Sequence, residues 1–252
     1  MSIPLAIFLG LIQGLAEFLP ISSSGHLILV QHIFEMPQDM MFFNIMLHIA
    51  TLIAVCFVFR KRTFKLVRHP FHPDNRRLNF CLILATAITV GFVLLFNDFL
   101  ESTFTARVLP ITFLITAIVL VWASFVKPGK NQLTYTTAAA LGLAQGLAII
   151  PGLSRSGLTL STALTSGIQR DHAAEFAFLM SIPIIIAALV WELVRNPIST
   201  TINWLPLSIA FIVALLSGVF AIKFMLDIIR RVKLYWLSLY LIVIALVALF
   251  MI

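Results

Sequence analysis

The chain has 252 residues, 61% of them hydrophobic and only 11% charged, with a formal net charge of +7 and a mean hydropathy of +1.06. That is too little charge to cover a soluble domain of this size. The apolar residues come in long runs broken by short polar stretches, the pattern of a polytopic α-helical membrane protein, and the absence of strand-period alternation argues against a β-barrel.

In chain order, residues 3–34 are apolar but broken near the middle by "LPISSSG". Each half is too short to cross a hydrocarbon core of about 30 Å, which predicts a re-entrant helix–loop–helix hairpin. The lack of a basic n-region, with Glu17 and Pro20 interrupting the run, speaks against a cleavable signal peptide. Full-length spans are expected at residues 40–59, 79–97 and 108–126. A second broken hairpin follows at 134–168, interrupted by "IPGLSRSG", and three more spans are expected at 173–194, 204–226 and 234–252. Cys56 and Cys81 fall inside apolar runs and read as buried small hydrophobes, not as a disulfide or metal pair.

The two breaks are related. "LGLIQGLAEFLPISSSGHLIL" from Leu9 and "LGLAQGLAIIPGLSRSGLTLS" from Leu141 align without gaps, matching Gly10 with Gly142, Gln13 with Gln145, Gly14 with Gly146, Ser22 with Ser154, Ser24 with Ser156 and Gly25 with Gly157. Chance similarity between apolar segments would match Leu and Ala, not this polar and glycine skeleton. The expected fold is therefore an all-α polytopic membrane protein of two repeats, residues 1–126 and 134–252. Each repeat is one broken re-entrant hairpin plus three transmembrane helices, within one membrane domain. Three crossings per repeat is an odd number, so the second repeat is expected to be inverted relative to the first, with the two hairpins meeting near the midplane.

The net positive charge does not point to nucleic acid, because its carriers collect beside the spans. Six crossings put Arg60, Lys61, Arg62, Lys65, Arg68, Arg76, Arg77, Lys127, Lys130, Arg170, Lys223, Arg230, Arg231 and Lys233 on one side, and only Arg107 and Arg195 on the other. The positive-inside bias assigns the first group to the cytoplasm and turns both termini and the mouth of the first hairpin outward. The loop at 60–77 reads as a topology determinant that also meets anionic lipid.

Within the first hairpin, Gln13 and Glu17 project from one face of the incoming half-helix, and Pro20 ends it. Ser22, Ser23 and Ser24 then offer caps for the outgoing half, with Ser23 and His26 on the same side of its first turn. A half-helix N-terminus in a low-dielectric setting attracts anions. The second hairpin repeats this device with Ser154, Ser156 and Gly157 and adds Arg155, whose planar fork suits phosphate oxygens. The serines read equally as helix caps. His48 reads as a satisfied helix–helix contact. Glu17, His26 and Arg155 are another matter, since intramembrane ionisable groups are costly and functional by default.

"QGLAEFLPISSSGH" and "PGLSRSG" resemble the two signature segments of the undecaprenyl-diphosphate phosphatase family, the BacA or UppP type linked to bacitracin resistance. "LHIATLIAVCFVFRK" and "AAEFAFLMSIPIII" are similar to that family too, so the resemblance covers nearly the whole chain. It implies a membrane hydrolase of the bacterial inner membrane, with its site facing outward. The enzyme removes the terminal phosphate of undecaprenyl diphosphate and so recycles the lipid carrier for peptidoglycan synthesis. The family's functional positions carry over to Gln13, Glu17, Ser23, His26 and Arg155. Gln13, Ser22, Ser24, Gly25, Ser154, Ser156 and Gly157 are expected to bind the substrate. A divalent cation, magnesium or calcium, is implied as well. With Gln at position 13 there is one carboxylate fewer, so the cation is expected to bridge Glu17 and the substrate's diphosphate. The expected reaction is attack by Ser23 on the terminal phosphorus, with Glu17 or His26 taking its proton.

Other readings stay open at this point. A lipid phosphatase of the phosphatidic acid phosphatase type would need a Lys–x6–Arg–Pro element, which is absent, and a histidine where Ser161 stands. A polyprenyl-phosphate transporter or flippase shares the inverted-repeat plan. A homodimer is neither required nor excluded.

Overall fold

The computed structural model describes residues 1–36, 40–127, 129–195, 203–231 and 234–252. Among these residues all regular structure is helical, apart from one isolated bridge between Asn131 and Ile168. Lys233 and the side chains of Arg195, Arg230 and Arg231, used above for orientation, lie outside the description.

The first hairpin is α1 (Ile3–Phe18) and α2 (Ser23–Ile33). Pro4 sits in the first turn of α1, where a missing N–H costs nothing, and Pro20 stands just beyond its end. Ser22 caps α2 by accepting the Gly25 N–H, and does so at φ +70, in the left-handed region. With 11 residues, α2 reaches about 16 Å, roughly half of a hydrocarbon core. α3 (Met41–Val58) follows, and α4 (Arg60–Arg68) turns away from it by 85° where the run Arg60-Lys61-Arg62 begins. Then come α5 (Pro73–Leu95), the short α6 (Asn97–Ser102), a 3-10 turn at Ala106–Val108 and α7 (Leu109–Phe125). The second hairpin is α8 (Tyr135–Leu147) and α9 (Arg155–Thr165), and Ser154 caps α9 as Ser22 caps α2. α10 (Arg170–Arg195), α11 (Trp204–Arg231) and α12 (Tyr235–Met251) complete the described chain.

Four of these helices are long and apolar enough to cross a membrane alone: α5, α7 with its leading turn, α10 and α11. α3 makes a fifth if it is counted with α4 across the bend. Six spans were expected. The sixth falls on α12, whose 17 residues reach about 25 Å, just short of a full crossing.

The breaks are held in place by reciprocal packing. α1 lies along α11, and α8 lies along α5. Both contacts close on glycine: a Cβ at Gly10 would stand 2.5 Å from the Ala210 carbonyl oxygen, and one at Gly142 would stand 2.6 Å from that of Ala85. Small residues at such crossings let backbones approach where lipid offers no hydrophobic drive to pack. Each repeat thus seats its broken helix on the second long helix of the other. α7 and α12 pack against each other.

α4 has three faces. Leu66 is buried inward, and Arg62 Nε donates to Glu175 Oε1 of α10 at 2.9 Å. Phe64 and Val67, with Phe71 just beyond, are exposed, and Lys61, Lys65 and Arg68 flank them. Apolar rings beside basic heads suit a helix lying in a membrane interface.

Candidate active site

The tips of the two hairpins enclose one end of a cavity of about 270 Å³. Its polar lining is Glu17, Ser22, Ser23, Ser24 and His48 from the first repeat and Gln145, Ser154 and Arg155 from the second. Its apolar wall comes from Ile45 and Ile49 of α3 and from Ile184, Ile185, Ala188 and Leu189 of α10. The α10 residues follow directly on Pro183, a helix interruption that membrane helices tolerate.

Glu17 is the hub. It is buried, with 4% of its side chain exposed, and both oxygens are engaged. Arg155 reaches across from the other hairpin to pair with Oε1. Ser23 Oγ donates to Oε2 at 2.6 Å, and Gln13 Nε2 donates to the same oxygen at 3.0 Å. The one-turn spacing of Gln13 and Glu17 makes that last bond possible. A carboxylate held this way is desolvated and satisfied at once, which a buried charge requires.

The serines sort into pairs. Ser22 and Ser154 are N-caps, accepting the backbone N–H of Gly25 and Gly157 at 3.3 and 3.1 Å. Ser24 stands 3.4 Å from the Ser22 hydroxyl, and Ser156 stands 3.2 Å from that of Ser154. Ser156 also donates to the Leu19 carbonyl at 3.1 Å, an acceptor just past the end of α1 that the Ile21 N–H shares. Gly25 packs against the second tip, because a Cβ there would meet Gly152 Cα and the Phe113 ring at 2.8 Å. Thr116 of α7 donates to the Gly152 carbonyl and accepts the Ser154 N–H, which fixes the second break from behind. Ser23 and Arg155 occupy matching positions in the two breaks, and both face Glu17.

His26 is placed differently from the expected Ser23 partner. Its Nδ1 donates to the Ser22 carbonyl at 2.7 Å, and its Nε2 accepts the Tyr240 hydroxyl at 2.8 Å. The ring stacks on Tyr240, lies edge-on to Phe113, and stays outside the cavity lining. Of the two bases left open for Ser23, the one at hydrogen-bond distance is Glu17.

Two residues were missed. His48 does contact another helix, but the contact is with the site itself: Nδ1 accepts from Gln13 Nε2 at 3.0 Å and lies 3.4 Å from Glu17 Oε2. Its position as the one His, Lys, Arg, Asp or Glu within residues 41–58 was the available signal. Tyr240 offered less, since a tyrosine in an apolar span is ordinary. Gln145, the repeat counterpart of Gln13, bonds Thr89 and also lines the cavity.

The donor set does not fit a protein-held divalent cation. Glu17 is the only carboxylate among the described residues lining the cavity, and both its oxygens are taken. Among the described residues no three His, Cys, Asp or Glu side chains converge. Magnesium and calcium ask for six or more oxygens.

The family model described as bacitracin resistance protein BacA matches residues 6–247, taking in both hairpins and the helices around them. The chain belongs to the BacA family. Curated relatives carry the name undecaprenyl-diphosphatase. One from Carboxydothermus hydrogenoformans is 43% identical over 243 residues, 93% of this chain and 92% of that protein. One from Treponema denticola is 42% identical over 256 residues, covering 96% and 94%, and one from Christiangramia forsetii is 35% identical over 254 residues, covering 96% of each.

Proposed function

We propose that the chain hydrolyses undecaprenyl diphosphate to undecaprenyl phosphate and inorganic phosphate, recycling the lipid carrier for cell-wall synthesis and so conferring bacitracin resistance. One observation carries the mechanism: Ser23 and Arg155, brought from opposite repeats, meet on the two oxygens of Glu17 at the end of a cavity with an apolar wall.

On this reading the prenyl chain lies along the isoleucine wall of α3 and α10, and the diphosphate enters between the hairpin tips. Arg155 leaves Glu17 for the phosphate oxygens, where its fork and the first turns of α2 and α9 absorb transition-state charge. The exchange also frees the carboxylate to act as a base. Glu17 takes the Ser23 proton as Oγ attacks the terminal phosphorus, and the bond to undecaprenyl phosphate breaks. Water then releases phosphate from Ser23. His26, held by Ser22 and Tyr240, keeps the serine turn in its left-handed conformation. A magnesium or calcium ion would be held mainly by the substrate's own diphosphate, with Glu17 the one carboxylate at hand, and would supply charge neutralisation there.

The finer architecture belongs to the same proposal: two inverted repeats with six crossings, α12 completing the last one in a bilayer thinned or matched locally. Its support is the exchange of partners, Gly10 on α11 and Gly142 on α5, which a two-fold relation between repeats produces. The basic α4 belongs on the cytoplasmic face of the inner membrane, and the site opens outward. A flippase is not favoured, because a serine hydrogen-bonded to a buried carboxylate is nucleophile chemistry that lipid movement does not need. Phosphate release from undecaprenyl diphosphate by purified protein in detergent, beside Arg155→Ala, tests the proposal. Turnover lost in the variant is expected, and absence of phosphate release from the wild type would overturn it.

A further inference from the structure

His48 is a pocket-lining imidazole with no role in the scheme above. Its side chain is 33% exposed, on α3, opposite Arg155's approach to Glu17. Gln13 Nε2 donates both to His48 Nδ1 and to Glu17 Oε2, each at 3.0 Å, so one amide spans the two acceptors. With the Gln13 amide as donor, Nδ1 accepts and the ring proton sits on Nε2. Nε2 has no hydrogen-bond partner among the described residues. From Ser23 Oγ to Glu17 Oε2 is 2.6 Å, and from there to His48 Nδ1 is 3.4 Å. The ring thus stands beside the carboxylate oxygen that accepts from the serine, and it borders the cavity.

The chemistry of a phosphoserine route gives this arrangement a task. When Ser23 attacks, its proton goes to Glu17, and a protonated Glu17 cannot then deprotonate the water of the second step. We propose that His48 relays this proton, serving as acid to the departing undecaprenyl phosphate and then as base to water. In the first half, Oγ–P forms and the P–O bond to the lipid phosphate breaks. Gln13 gives up its bond to the ring, the serine proton passes through Glu17 to the freed His48 Nδ1, and the Nε2 proton goes to the leaving oxygen. In the second half, water oxygen bonds phosphorus and Oγ–P breaks. One water proton goes to Nε2, and the Nδ1 proton returns through Glu17 to Ser23. The ring exchanges tautomers and ends as it began. His48 thereby supplies, from another helix, the second proton-transfer group that Gln13 cannot be.

The inference rests on Ser23 as nucleophile, and its test separates the two. His48→Gln preserves size and polarity but carries no exchangeable ring proton, and His48→Ala leaves room for added imidazole. With undecaprenyl diphosphate labelled in its terminal phosphate, His48→Gln should lose about 10²-fold or more in turnover. Label should accumulate on Ser23 after rapid quenching, and imidazole should restore part of the turnover of His48→Ala. Turnover of His48→Gln within twofold of wild type, with label still trapped on Ser23, would overturn the relay and leave the nucleophile in place. Failure of imidazole to rescue His48→Ala, with no label accumulating in His48→Gln, would overturn it as well. Full turnover by Ser23→Ala would remove the serine route itself.

Discussion

Ser156 Oγ of one hairpin donates to the Leu19 carbonyl of the other at 3.1 Å, one residue from the Arg155 that pairs with Glu17. A neutral tie and an ionic one thus bridge the two breaks side by side. The site exists only because the hairpins meet, and each repeat supplies what the other lacks: a carboxylate and a serine on one, a guanidinium on the other.

The first prediction concerns Arg155. A point charge cannot span two phosphate oxygens as a planar fork does, so Arg155→Lys should lose most activity although the charge is kept. Removing one preorganised donor costs about 10²–10³ in rate. Steady-state phosphate release measures it, and near wild-type turnover would reduce Arg155 to a charge anchor.

Glu17 should behave differently in its two variants. Glu17→Gln keeps a hydrogen-bonding group beside Ser23 and Gln13 while removing the base, so activity should fall with the fold retained. Glu17→Ala leaves Arg155 without its partner in a part-buried setting, where breaking a pair costs about 3–5 kcal/mol. Thermal unfolding in detergent should show a clear drop for the alanine variant and a smaller one for glutamine.

The hairpin seats should tolerate no side chain. Gly10→Val or Gly142→Val puts a Cβ within 2.6 Å of a helix carbonyl on the facing segment, so the broken helix must shift. Either variant should lose folded yield, and equal losses from the two repeats are expected, measured by detergent gel filtration.

Much of this was legible in the sequence. The matched glycines and serines located both breaks, and the costs of Glu17, His26 and Arg155 in lipid singled them out as candidates, because those signals depend on residue type and spacing alone. Of these three, the structure brings Glu17 and Arg155 together. What was not legible depends on which way a side chain turns. Ser23 and His26 are three residues apart, yet the backbone at Ser22 adopts φ +70 and His26 turns to Tyr240, 214 residues away. His48 sits on a helix whose rotation no local pattern fixes, so its meeting with Gln13 emerges only from packing. At α12 the apolar run was legible but the length of the helix, 17 residues, was not.

Orientation makes a separate prediction. The proposed orientation puts the basic α4, with Phe64 and Val67 exposed beside Lys61, Lys65 and Arg68, at the cytoplasmic interface. With Cys56 and Cys81 replaced, a cysteine substituted for Arg68 should resist membrane-impermeant thiol reagents in intact cells and react after lysis. Labelling in intact cells would reverse the assignment.

The nucleophile is the most direct test of the whole account. Ser22 and Ser24 have counterparts in Ser154 and Ser156 and belong to the shared scaffold, whereas Ser23 is the serine replaced in the other half, by Arg155, and it lies 2.6 Å from Glu17 Oε2. Wild-type protein, mixed with undecaprenyl diphosphate labelled in the terminal phosphate and quenched within the first turnover, should carry the label on Ser23, and Ser23→Ala should release no phosphate. Label trapped on His26, or substantial turnover by Ser23→Ala, would contradict it.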